Sequence, residues 1–401
     1  MTLPHFDAIP VEFILFALTL AGVAFFHHRT LQVALAGLAV IASYKLAVTG
    51  FKTGEGLEGL IGHLGHESVG LLNLLALLTG FALLSRHFEE SHVPGVMPAV
   101  LPDDWRGGLV LLGLVFVLSA FLDNIAAAII GGTVARAVYQ GRVHIGYLAG
   151  IVAASNGGGS GSVVGDTTTT MMWISGISPL TVLPAYIAAA ASFAVFAIPV
   201  SRWQHELQPI TKDADPQVSI DGVRLAIVAV ILLAAIGANV AANLAYPEIL
   251  AHVPVIGVAV WGAILVTALL RAPDWSVLPE TLKSTVFLLS LVLSASLMPV
   301  DALPPASWGS TLGLGFVSAV FDNIPLTALA LKQGGYDWGL LAYAVGFGGS
   351  MLWFGSSAGV ALATMFPEAR SVSAWVRSGW PVAFGYVIGF FVMLALWGWQ
   401  P

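Results

Sequence analysis

The chain has no cysteine, which excludes disulfides and thiolate chemistry while leaving the compartment open. It has little charge: 9% of residues are Asp, Glu, Lys or Arg, against about 25% in an ordinary soluble domain. Its 15 Lys and Arg are scattered singly, so no basic run offers itself to a nucleic acid. The opening MTLPHFDAIP lacks the positive stretch of a secretory signal, and the first apolar segment is expected to stay in the mature chain. What fills the sequence is apolar: 57% hydrophobic residues over 401 positions, 44 glycines besides, and a mean hydropathy of +0.89. So few charges cannot cover so much apolar surface in water. A soluble enzyme, a nucleic-acid binder and a disordered regulator are therefore excluded, and the composition predicts an all-α polytopic membrane protein.

A bilayer crossing needs roughly 20 apolar residues. Plain spanning segments are predicted at 11–26, 31–48, 68–85, 178–200, 221–245, 254–270, 283–300 and 380–398. Four more stretches are interrupted: 108–139 at Asp123-Asn124, 145–175 across 155–170, 308–333 at Asp322-Asn323-Ile324-Pro325, and 338–366 across 346–359. Irregular backbone at membrane depth must be buried in protein or line a cavity. Pro325 has no amide to donate and disfavours helix at Ile324, so that break is set by covalent chemistry.

The interruptions come as a pair of pairs. Ser119-Ala120-Phe121-Leu122-Asp123-Asn124-Ile125 matches Ser318-Ala319-Val320-Phe321-Asp322-Asn323-Ile324. Each is followed by a helix broken by glycine and hydroxyl residues, as in the repeated halves of a secondary transporter. Counting 108–139 and 308–333 as re-entrant hairpins leaves an odd number of crossings in each half, which inverts the second half. With the N-terminus outside, Lys45, Lys52 and Lys332 lie outside and the other twelve of the 15 positive residues lie inside, the bias of the positive-inside rule. The expectation is an inverted repeat with about ten crossings, two opposed re-entrant hairpins, two unwound helices and both termini outside. Residues 1–107 and 201–307 are read as scaffold helices, and 108–200 and 308–401 as the transport domain.

Asp123, Asp166 and Asp322 sit in apolar or Gly/Ser/Thr surroundings. An Asp at membrane depth costs about 2.5–3.5 kcal/mol on insertion scales and usually has a functional partner. The plain alternative is that each caps a half-helix, since Asp-Asn and Gly165-Asp166-Thr167 are good N-cap sequences. The two readings coexist, because a cap at an unwound turn is where an ion site would be built. Only Arg136 and Lys332 bring positive charge to the interrupted stretches, both near hairpin bases. Three acids without a basic partner favour a bound cation, a proton, or exchange of the two. Sodium wants hard oxygen ligands. Asn124, Asn156 and Asn323 supply amides, and Ser155, Thr167, Thr168, Ser356 and Ser357 supply hydroxyls, around Asp123, Asp166 and Asp322 as the expected sodium ligands. Thr169 and Thr170 read equally well as helix packing. Burial disfavours an ionised carboxylate, so a proton can compete with sodium for the same oxygens.

Gly157, Gly158, Gly159, Gly161 and Gly165, with Gly355 in the second half, are expected to give the unwound stretches their unusual backbone angles. His63, His66 and His144 read as loop or interface residues, with His144 the one placed to tune a pH response. Trp173, Trp353 and Trp380 read as packing or interfacial anchors.

Asp123-Asn124-Ile125, Ser155-Asn156-Gly157-Gly158, Gly165-Asp166-Thr167-Thr168-Thr169-Thr170-Met171-Met172-Trp173 and Asp322-Asn323-Ile324-Pro325 resemble the NhaD-type sodium/proton antiporters of the ion transporter superfamily. That superfamily also holds arsenite permeases, citrate carriers and divalent-anion/sodium symporters. The resemblance covers 108–175 and 308–366. It implies a scaffold that joins two copies into a homodimer and a moving domain displaced like an elevator in a bacterial inner membrane. The implied partners are the lipid bilayer, sodium or lithium ions and protons. No cofactor and no nucleic acid are implied. The symporters carry Ser-Asn-Thr at their hairpin tips; here an Asp replaces that Ser at both tips, which fits cation exchange. Gly359 stands where an Asn is expected after Gly355-Ser356-Ser357-Ala358, and the chain is short for such an antiporter. The rival reading, a sodium- or proton-coupled carboxylate or oxyanion carrier, calls for a basic residue facing the tips. A non-transporting scaffold is disfavoured by the acids at both tips, and a channel by the paired interrupted helices.

Overall fold

A computed structural model describes residues 9–26, 29–212, 219–245, 248–249 and 252–401. The N-terminal end of the expected topology rests on residues 1–8, outside those described. Among the described residues the regular structure is helical, with one isolated bridge between Phe51 and Gly54. Six helices among them are long and apolar enough to cross a membrane: Thr30–Thr49, Gly56–Glu89, Pro179–Leu207, Gly222–Ala242, Trp275–Ser296 and Val372–Trp397. Val11–Phe25 and Val255–Thr267 are shorter and equally apolar. This is a multi-pass membrane protein.

The predicted segment 68–85 is the middle of a 34-residue helix, Gly56–Glu89. Its first turns carry Glu58, His63, His66 and Glu67, so hydropathy alone begins the segment too late. His63 lies inside this helix, with Nε2 2.9 Å from Ser296 Oγ on the neighbouring helix Leu278–Ser296.

Both interrupted stretches break into two helices at their Asp-Asn sequences. Trp105–Ser119 turns at 120–123 into Asn124–Val138, and Trp308–Ser318 turns at 319–322 into Asn323–Gln333. Legs of 15 and 11 residues rise about 22 and 16 Å, short of the roughly 30 Å hydrocarbon core. A Cβ on Gly131 would sit 2.4 Å from Val115 Cγ2, so the first pair of legs folds back in direct contact. The broken helices are Ile145–Gly159 followed by Thr167–Ile174, and Trp338–Gly348 followed by Ser357–Met365.

Almost every side chain of Ile145–Gly159 and Trp338–Gly348 is buried, which suits helices made of alanine, glycine and apolar residues on all faces. They pack inside Ala185–Leu207 and Val372–Trp397. There the Tyr343 hydroxyl donates to the Tyr386 carbonyl at 2.9 Å and also meets Ser192 Oγ. A second apolar cluster joins Phe16, Ile41 and Leu291 of the outer helices to Met171 and Ile324 of the interrupted ones.

Charge gathers at one end of the outer helices. Arg224 lies 2.7 Å from Glu90 and 2.8 Å from His87 Nδ1, while Arg86 reaches Glu89 and Asp274 at 3.0 Å each. Arg224 is only 18% exposed, and its loss leaves the partly buried Glu90 with Arg86 alone, at 3.4 Å. Arg224→Leu is expected to cost about 1–3 kcal/mol, seen as a lower melting temperature of the detergent-solubilised protein. An unchanged melting temperature would mean that water already screens the pair.

Candidate ion-binding site

Each of the three acids is an N-cap. Asp123 Oδ2 accepts from Ile125 N at 3.3 Å, Asp166 Oδ1 from Thr168 N at 2.8 Å, and Asp322 Oδ1 from Ile324 N at 3.1 Å. A cap consumes one oxygen of a carboxylate, and the fate of the other oxygen separates the three. Asp322 Oδ2 accepts from Ser357 Oγ at 3.3 Å. Asp123 and Asp322 are half-buried at their hairpin tips, whereas Asp166 is 1% exposed. Asp166 Oδ2 is buried and accepts no hydrogen bond among the described residues; the buried Thr168 hydroxyl two residues on is also unpaired. Oδ2 lies against the other half of the chain, where a Cβ on Gly346 would stand 3.0 Å from it.

The tips are tied to this point by their asparagines. Asn323 Nδ2 reaches Asp166 Oδ1 at 3.4 Å, which carries the second hairpin onto the first broken helix. Asn124 Nδ2 donates to Asn156 Oδ1 at 3.0 Å. Asn156 Nδ2 in turn donates to Ser350 Oγ at 2.9 Å and Ser356 Oγ at 3.1 Å in the second broken helix. Two buried hydrogen-bonded groups thus make up a polar seam between the halves: Asn124 with Asn156, Ser350 and Ser356, and Asn323 with Asp166. Such a seam holds a defined geometry only when its members are satisfied, which makes the spare oxygen of Asp166 the exception to account for.

Other expected ligands lie elsewhere. The Ser155 hydroxyl donates to the Val152 carbonyl within its own helix. Thr167 and Ser357 are half-buried first residues of their half-helices. Thr169 and Thr170 both donate to the Asp166 carbonyl and back to Ser162 and Val163, fastening the 160–166 loop. Ser162 donates to the Ala120 carbonyl and ties that loop to the hairpin tip. Among the described residues no three His, Cys, Asp or Glu side chains gather into a metal-binding group. A cation here would take its oxygens from one carboxylate at a time together with amides and hydroxyls.

The glycines need a correction. Gly157, Gly158 and Gly159 are helical, and the break runs from 160 to 166. None of these three, nor Gly161, Gly165 or Gly355, has a left-handed φ. They are there for close approach: a Cβ would fall 2.0 Å from the Phe116 carbonyl oxygen at Gly158 and 2.0 Å from that of Ser119 at Gly165. Gly348 and Gly355 repeat these contacts against the carbonyls of Gly315 and Ala319. Gly159 and Gly349 repeat each other as well, against the carbonyls of Gly165 and Gly355 and the Cβ atoms of Asp166 and Ser356.

The correspondence pairs Asp166 with Ser356 and Asn156 with Gly346, so the carboxylate and amide come from the first half and small residues face them from the second. Ser350, a second-half hydroxyl left out of the expected ligand set, and Gly346, not expected at the site, enter the seam this way. Gly359, where an Asn was expected, leaves no room for one: its Cβ would meet the Trp353 carbonyl oxygen at 2.3 Å.

No protein-family model matches the chain. Over 311 residues it is 28% identical to sodium/proton antiporter 1 of Arabidopsis thaliana, a match covering 66% of this chain and 52% of that protein. Over 309 residues it is 26% identical to sodium/proton antiporter 2 of the same plant, covering 66% of this chain and 72% of the relative. The chain spans about half the length of the first of these relatives. It is, at this distance, similar to plant sodium/proton antiporters.

Proposed function

We propose that the protein is a secondary active transporter that exchanges sodium, or lithium, for protons. The observation that carries this reading is the unpaired, buried Oδ2 of Asp166 at the seam between the halves. A proton on that oxygen, or a sodium ion beside it, satisfies the same lone pairs. The two therefore exclude each other at one atom. The sign of the site agrees. The N-terminal ends of four half-helices meet near the seam, each worth roughly half a positive charge; three carboxylates outweigh them by about one unit. The similarity to sodium/proton antiporters supports the same cargo.

In this reading the hairpins and broken helices form the moving unit. They shift like an elevator against the outer helices, which would also hold a homodimer. The test is a pH-sensitive dye in proteoliposomes with an imposed pH gradient, challenged in turn with NaCl, LiCl, KCl and choline citrate. Sodium or lithium is expected to collapse the gradient. Collapse by citrate alone would replace this reading with a carboxylate carrier.

A further inference from the structure

A cavity of about 770 Å³ lies between the outer helices and the ends of the site helices. One wall is the 45–53 turn, the start of Gly56–Glu89 and the end of Leu278–Ser296; the other is Met171, Ile174, Ala328 and Lys332. The three lysines that the charge pattern set apart, Lys45, Lys52 and Lys332, all line it. Lys52 is neutralised by Asp301 at 2.8 Å. The other two are not. Lys332, on the second hairpin, makes no ion pair among the described residues, and the Lys45 ammonium lies 5.7 Å from the Phe51 ring centre instead of beside a carboxylate. Glu67 lines the cavity and Glu12 acts on Lys45 from farther off, yet neither reaches ion-pair distance of these lysines. Lys332 stands within electrostatic reach of Lys52 and Lys45, and also of Glu67 and Asp301, so three ammoniums face two carboxylates around the space and the positive charge is in excess. His63 and His66 add imidazoles, and Thr49, Thr53 and Ser175 add hydroxyls.

We propose that this cavity is a binding site for a polyvalent oxyanion of the phosphate class, clasped between Lys45 on the outer helices and Lys332 on the second hairpin. Lysines are point-charge donors that hold phosphate without a fixed fork geometry. A dianion between two opposed ammoniums turns their repulsion into attraction, and the volume falls within the range of ligand sites. A transported cation would be repelled from the same walls. Free phosphate and a lipid headgroup present the same chemistry. Because the two lysines belong to opposite sides of the cavity, an occupant pins the hairpin to the outer helices. Slowed exchange on binding rests on the transport reading above; binding itself does not.

The test uses the purified full chain in detergent, melted in choline phosphate and in choline chloride at equal ionic strength. Phosphate is expected to raise the melting temperature in a saturable way. Lys45→Gln and Lys332→Gln should each weaken the apparent affinity about tenfold or more, while Lys212→Gln, whose partner is Asp103, leaves it unchanged. A second arm compares nanodiscs containing phosphatidic acid, whose phosphomonoester headgroup can carry two negative charges, with nanodiscs of phosphatidylcholine alone, without free phosphate. A shift confined to this arm assigns the site to a headgroup. For wild-type protein, phosphate or the anionic lipid should also shield Lys45 and Lys332 from amine acylation, a readout that needs no variant. Equal melting temperatures in both arms, or a shift that survives in the double variant, overturn the proposal.

Discussion

Asp166→Asn is expected to lower sodium-driven proton movement about 100-fold or more, the equivalent of roughly 3 kcal/mol, in a protein that still folds. The substitution preserves the shape of the cap. An amide oxygen in place of Oδ1 still accepts from Thr168 N and lies beside Asn323. What it removes is the atom that takes either a proton or a cation. The half-buried Asp322, whose second oxygen already accepts from Ser357, should be the milder site, with exchange reduced and the sodium dependence shifted. The measurement is the proteoliposome dye assay beside a melting curve for each variant. A folded Asp166→Asn protein exchanging at the wild-type rate would remove Asp166 from the mechanism.

Gly158→Ala is expected to be among the most damaging single-methyl changes at the described glycines. Its Cβ would land 2.0 Å from the Phe116 carbonyl oxygen and 2.8 Å from the Phe116 carbonyl carbon. Both partners are backbone in packed helices, so no rotamer change relieves the clash. Overpacking usually costs about 1–3 kcal/mol when side chains can adjust; here the hairpin leg itself must move, and the cost should lie above that range. Gly262→Ala is the control. It lies in the helix Val255–Thr267 with nothing within 4 Å of its Cβ, and should gain up to about 1 kcal/mol from helix propensity. Thermal unfolding of the two variants in detergent should move in opposite directions. A Gly158→Ala protein as stable as wild type would mean that the hairpin is not tightly seated on the broken helix.

Much of this was legible in the residues. Asp123-Asn124 and Asp322-Asn323 marked hairpin turns because a short acid followed by an amide caps a helix wherever the backbone reverses. Pro325 misplaced the second break: it lies in the first turn of Asn323–Gln333, where an amide has no helical partner anyway, with Ile324 before it helical and the turn itself at 319–322. Asp166 stood out because a carboxylate among threonines and glycines at membrane depth needs a partner, and the cap it makes occupies one of its two oxygens. The glycines were recognised for the wrong reason. Composition cannot separate a glycine that needs a rare φ from one that needs an absent side chain, and only the nearness of the Phe116 and Ser119 carbonyls decides it.

One signal was overlooked. Gly158-Gly159-Ser160 with Gly165-Asp166-Thr167 has the spacing of Gly348-Gly349-Ser350 with Gly355-Ser356-Ser357. Read together, those strings pair Asp166 with Ser356 and bring Ser350 into view. The lysine cavity was not legible, because Lys45, Lys52 and Lys332 are brought together by packing across nearly the whole chain.

The 34-residue helix Gly56–Glu89 is about 51 Å long, some 20 Å more than the hydrocarbon slab it crosses. Its apolar part, residues 68–85, is about 27 Å long and fits the slab, so the rod leans only as the bilayer thins below that stretch. One end of this rod carries His63, His66 and Glu67 beside the lysine cavity; the other carries Arg86, bound to Asp274. Shortening the lipid chains that far would therefore swing both ends together, like a lever whose pivot is the membrane midplane. Hydrophobic mismatch becomes a mechanical input to the cavity that faces the second hairpin.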